Sequence, residues 1–335
     1  KKHELLFERK DYKFFETGAK VRPRSEKYVV TKNGVRQYNA LDESNITNGW
    51  AKDKNGKLVQ TNLYGKLLSL AVNKYALLDP YGMGIEMDGG KPGWNDSLNG
   101  LPGLIGSGLS ETFETKRIFD FLLSLSDDET VDLPEEIAEL MQELLQITNA
   151  GYNDFDFWNA ISNAREAYRD KIYAGVSGVN AAVRTFDIND TLAAFSRKLG
   201  DGIDRALVVG NGVYPTYFYY TMTDYDVKDG VVIPKAFEQV VAPLYLESTT
   251  RALKVTNDKA MAKRLYDALK ASDVYDRKLK MYKICESLKN ASYELGRATA
   301  FTSGWLENES VFLHMEYKYF LQLLKSGLYD EYYTT

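Results

Sequence analysis

Tyr81-Gly-Met-Gly-Ile-Glu-Met-Asp-Gly-Gly-Lys-Pro-Gly-Trp-Asn-Asp-Ser-Leu-Asn-Gly-Leu-Pro-Gly-Leu-Ile-Gly-Ser-Gly108 holds nine of the chain's 25 glycines, with Glu86, Asp88, Trp94 and Asp96 among them. Glycine costs backbone entropy and packs nothing, so such density marks a backbone that bends tightly or approaches something closely. Helical patterns flank the stretch over 61–78 and 110–125. A helical scaffold that presents an irregular loop is a common way to place functional groups. The same residues also suit a long surface connection around one buried tryptophan.

Working outward, Leu63, Leu67, Leu70, Lys74, Leu77 and Leu78 recur at helical spacing up to the stop at Asp79-Pro80. Downstream, Ser110 is a candidate N-cap for a helix carrying Phe113, Arg117, Phe121 and Leu122. Asp132-Leu-Pro134-Glu-Glu is a start signal, and Ile137, Leu140, Met141, Leu144 and Leu145 form the stripe behind it. Further helices are expected over 157–172, 188–209, 242–255, 258–271 and 309–325. The run from Gly210 to Tyr220 breaks this rhythm and reads as a strand or a long aromatic loop. Its aromatic residues suit a sugar platform or ordinary core packing. Residues 1–60 read as irregular, with Asn33-Gly34 and Asn55-Gly56 as type I′ hairpin turns. Arg22-Pro-Arg24 reads as a solvated loop or as an anion or sugar contact. The expected architecture is mainly α: part of an (α/α)6 toroid or barrel over 61–335, with residues 1–60 as a hairpin-bearing segment of that domain.

Composition narrows the chemistry. With 335 residues, 44% hydrophobic, the chain can bury a large core. A net charge of -5 without a basic stripe argues against nucleic acid as a main partner. Cys285 is the single cysteine and reads as a small buried residue. His3 and His314 are the only histidines, which leaves almost no candidates for a histidine-rich metal site or a serine triad. No apolar run is long enough to span a bilayer. The first residues lack an initiating Met and the last stop just past a helix, so the chain reads as an internal piece of a longer polypeptide.

Two constellations carry chemistry. A carboxyl beside an indole and away from water has its charged form disfavoured, which would let Asp96 next to Trp94-Asn95 donate a proton to a departing glycosidic oxygen. Asp96 could equally cap the turn into Ser97-Leu-Asn. The second is Trp305-Leu-Glu-Asn-Glu-Ser-Val-Phe-Leu-His314. Its histidine fits either a packed helical position or, at a helix start, an anion site.

Gly93-Trp94-Asn95-Asp96-Ser97-Leu98-Asn99 resembles the tryptophan-asparagine-aspartate segment of the cellobiose-phosphorylase family of inverting glycoside phosphorylases. The longer run 81–103 and Glu307-Asn-Glu-Ser-Val-Phe-Leu-His-Met-Glu-Tyr-Lys-Tyr319 resemble that group's large β-oligoglucan phosphorylase branch. The resemblance implies the barrel and an acid role for Asp96. It also implies sugar contacts from Trp94, Asn95 and Glu307, and phosphate binding by His314. It implies a β-linked oligoglucan and inorganic phosphate as substrates, no cofactor or metal, a cytoplasmic setting, and other domains of the same polypeptide or a second copy as partners. Leu306 departs from the lysine usual in the disaccharide enzymes, which implies a different acceptor. The family's upstream phosphate-binding arginine and its phosphate loop have no match here. Inverting hydrolysis, with Glu86, Asp88 or Glu307 as base, and carbohydrate binding without turnover remain the rivals.

Overall fold

The computed structural model describes residues 1–125 and 127–335. Among them, ten α-helices are interspersed with small antiparallel sheets, at 45% helix to 20% strand, a mixed composition rather than a mainly α one. The expected (α/α)6 toroid is therefore corrected. Here strands intervene, most of all Tyr217–Lys228 and Val231–Val241, which pair into a long hairpin around Asp229-Gly230. The β-branched and aromatic residues of those strands favour a pleated surface over a helix. The chain forms two units, 1–27 with 39–82 and 115–200, and 28–38 with 83–114 and 201–335.

In the first unit the short helix α1 (Arg24–Lys27) precedes α2 (Leu63–Tyr75). Asn62 caps α2 by accepting from the Gly65 amide at 2.8 Å, an orphan donor that would otherwise go unmet. Leu68, Ala71, Val72 and Tyr75 of α2 are fully buried. Tyr75 stacks on Phe195 at 4.2 Å between ring centroids and meets Phe119 edge-on. Phe119 belongs to α3 (Leu109–Leu123) and Phe195 to α6 (Asn189–Val209), where Leu192 and Leu199 are also buried. Between them run α4 (Glu135–Asn149) and α5 (Asp154–Lys171). Pro134 marks the start of α4, but Asp132 and Leu133 belong to a strand, Thr130–Pro134, paired with Asn180–Arg184.

Arg24 is not solvated, and the anion it meets is a carboxylate of the chain itself. Its backbone and Nε donate to Glu166, its other nitrogens donate to Asn159 and Asn163, and its guanidinium lies over buried Trp158. Every donor of the fork faces α5, so the arginine ties the N-terminal segment to that helix.

In the second unit the sheet order is Val231–Val241, Tyr217–Lys228, Gly106–Gly108, Ile85–Glu86, all antiparallel. The hairpin Val29–Thr31/Gly34–Arg36 turns through Lys32 and Asn33, neither at positive φ; only Gly34, the first residue of the returning strand, is. It is thus not the type I′ turn expected, which needs two positive-φ residues. α7 (Leu246–Val255) packs on α9 (Leu313–Lys325), with α8 (Lys259–Ala271) between them in sequence and α10 (Tyr329–Thr334) last. Ser110 lies within α3 rather than at its cap, and its hydroxyl meets that of Ser248 on α7 at 3.1 Å. Burial pushes the Cys285 thiol up to about 12, so it is the inert core residue expected. Among the described residues no helix is long and apolar enough to cross a membrane.

Candidate functional site

From Met83 on, the glycine-rich stretch belongs to the second unit. It closes at its base where Ile85 and Glu86 pair with Gly108 and Ser107. Residues 87–105 therefore form a tethered loop with both ends in one sheet. Asn95 Oδ1 accepts from the Ser97 amide at 3.2 Å and from its hydroxyl at 2.5 Å, starting the short turn Asp96–Leu98. The cap that could have been Asp96 is thus Asn95. Asn95 is 1% exposed, and its Nδ2 has no partner among the described residues.

With that role taken, the Asp96 carboxylate points outward. Its side chain is 75% exposed, and Oδ2 lies 3.1 Å from Arg297 Nη2. It is not enclosed by the indole, as the order of residues had suggested. An exposed ion pair of this kind contributes about 0–1 kcal/mol, so an incoming ligand can open it at little cost. Trp94 turns elsewhere. Its indole meets His314 at 5.5 Å between ring centroids and Phe312 edge-on at 6.0 Å. His314 is exposed in the first turn of α9. One loop therefore touches two distant segments, 292–300 through Asp96 and 312–314 through Trp94.

Two glycines make the first of these contacts. The Gly100 amide donates to the Leu295 carbonyl at 3.1 Å, and the Arg297 amide donates to Asn99 Oδ1 at 3.0 Å. A Cβ on Gly100 would come within 2.0 Å of the Glu294 carbonyl oxygen, and one on Gly296 (φ +123°) within 2.7 Å of the Asn99 and Gly100 amides. Only bare backbone fits there. Arg297 was missed by sequence reasoning because no local pattern surrounds it. Its place follows from this backbone interlock alone.

Glu307 occupies a tight bend in which Trp305 bridges Asn308, with Leu306 and Glu309 at positive φ. Its carbonyl accepts from the Cys285 thiol at 3.4 Å. Buried Asn308 fixes the bend by donating to the Phe301 carbonyl at 2.7 Å. Among the described residues, no hydrogen bond, ion pair or ring contact joins Glu307 to Asp96, Trp94 or His314. The structure thus forms two separate groupings on one loop, Asp96 with Arg297 and Trp94 with His314 and Phe312, with Glu307 on a separate bend. Glu86 is buried and Asp88 half-buried at the loop's base.

The interlock is anchored by Glu294, which accepts from Arg36 Nε and Nη2 at 2.8 Å each. That two-pronged guanidinium holds the Glu294 carboxyl below the usual carboxylate range. A lowered folded pKa stabilises the fold above the unfolded value of about 4.3, and the gain is lost as pH falls through the lowered value. Glu294→Gln is expected to cost about 2 kcal/mol at neutral pH, with the gap to wild type closing in acid. Urea melts across pH would check this, and a gap independent of pH would count against it.

The chain matches no family model and no curated protein.

Proposed function

We infer that this protein takes part in inverting phosphorolysis of a β-linked oligoglucan, transferring a glucosyl unit to inorganic phosphate to give α-glucose 1-phosphate. The observation that carries this reading is the seating of Trp94 against His314 by the same loop that presents Asp96. An aromatic face, a carboxyl and an imidazole from segments more than 200 residues apart in sequence share one loop's surroundings. In the reaction, a phosphate oxygen bonds to the anomeric carbon as the glycosidic C–O bond breaks, and the Asp96 proton passes to the leaving oxygen. No second carboxylate is required, because phosphate is already an anionic nucleophile; a hydrolase would need one to activate water. His314 would hold phosphate, and Trp94 would shape the sugar site. A product that carries a phosphate charge is retained within a membrane-bounded compartment, which suits a cytoplasmic enzyme.

His314→Ala is expected to raise the phosphate KM more than the glucan KM, read from initial rates with each substrate varied in turn. Equal rises would make the histidine structural. Turnover in phosphate-free buffer would replace the reading with hydrolysis. The exposure of Asp96 and its pairing with Arg297 favour a second reading, carbohydrate binding without turnover. Calorimetry with oligoglucans beside a phosphorolysis assay separates the two.

A further inference from the structure

The first unit contains a cleft of about 370 Å³ that plays no part in the reading above. Its walls are aliphatic and aromatic: Phe14, Val21 and Val59 from the N-terminal segment, Leu70 from α2, Ile137 from α4, and Ile172 just past α5. The volume falls in the range of small-molecule sites, which combine mostly apolar walls with a few placed polar groups.

The polar groups inside are already engaged with one another. Ser69 donates to the Gly65 carbonyl at 2.8 Å, Asn73 donates to the Ser69 carbonyl at 2.9 Å, and the Tyr168 hydroxyl is hydrogen-bonded to Asn73. A sugar would bring hydroxyls along its whole length, and these walls would leave them unpaired at a cost for each. An apolar body meets no such penalty. The charged lining is different: Lys20, Lys52 and Arg169 stand against one acid, Glu16. Lys20 is paired with Glu16 at 3.0 Å. Lys52 is exposed and has no ion pair or side-chain hydrogen bond among the described residues.

We propose that this cleft binds a small amphiphile, its hydrocarbon body among Leu70, Ile137 and Ile172 and its anionic head on Lys52. Such a ligand is of the medium-chain carboxylate class. The site is independent of phosphorolysis, so it stands or falls separately from that activity.

The test is calorimetric titration of the protein with decanoate, decylamine and decyl maltoside. Decanoate is expected to bind one per chain and to raise the melting temperature, with the cation and the neutral head binding more weakly. Lys52→Glu should weaken decanoate about fivefold. Leu70→Trp, at a position partly open to solvent, should fill the cleft and remove binding with the circular dichroism spectrum unchanged. Ile172→Trp serves the same purpose should the first variant misfold. Absence of saturable decanoate binding, or undiminished binding in a folded Trp variant, overturns the site. Equal binding of all three probes, or an unchanged affinity in Lys52→Glu, overturns the anionic head.

Discussion

Asp96→Asn is expected to lower phosphorolysis by about 10²–10⁴-fold, the range a positioned general acid contributes, while oligoglucan binding persists. Asparagine keeps the shape and the outward direction of the side chain but cannot give up a proton to the leaving oxygen. The turn itself should not suffer, because its cap is Asn95 and not Asp96. Loss of the ion pair to Arg297 is a small effect, since the two side chains are 75% and 55% exposed. A folded variant that still turns over at the wild-type rate would remove Asp96 from the mechanism. A glucan with an activated leaving group sharpens the test, because such a group needs no proton. Substantial rescue with that substrate is the signature of a lost acid rather than a lost binding contact.

The second large effect is expected at Gly100. Gly100→Ala would drive a methyl group to 2.0 Å from the Glu294 carbonyl oxygen. Backbone cannot swing aside as a long side chain can, so either the strand of contacts at 294–297 shifts or the loop does. Overpacking of this kind costs about 3 kcal/mol, measured by urea unfolding. The same displacement should separate Asp96 from Arg297 and change activity at temperatures where the variant is still folded. Gly296→Ala adds a left-handed backbone penalty to a similar clash. Unchanged stability in both variants would show that the two segments are not interlocked in solution.

Helices were the most legible part of the chain. The stripes Ile137-Leu140-Met141-Leu144 and Leu192-Phe195-Leu199-Ile203 are buried as their spacing requires, since a 3.6-residue period specifies which face meets a core. The proline at 134 marked a helix start for a local reason. The arrangement of those helices was not legible. Residues 217–241 form the hairpin that interrupts the helices, and the pairing of Tyr217–Lys228 with Gly106–Gly108 joins segments about 110 residues apart. Nothing local encodes such a contact.

What the sequence determined by itself is the local character of this protein: amphipathic helices, a glycine-dense loop with one tryptophan and one following aspartate, and a single buried thiol. These depend on period, propensity and side-chain size, which act over a few neighbours. Tertiary structure alone decided that Asn95 caps the turn while Asp96 faces solvent, that Arg24 is buried against Trp158, and that Arg297 stands beside Asp96. The Asn95 cap is a local bond that Asp96 could equally have made, but the places of Arg24 and Arg297 depend on which distant segment comes within a few ångströms, and that distance is set only when the chain has packed.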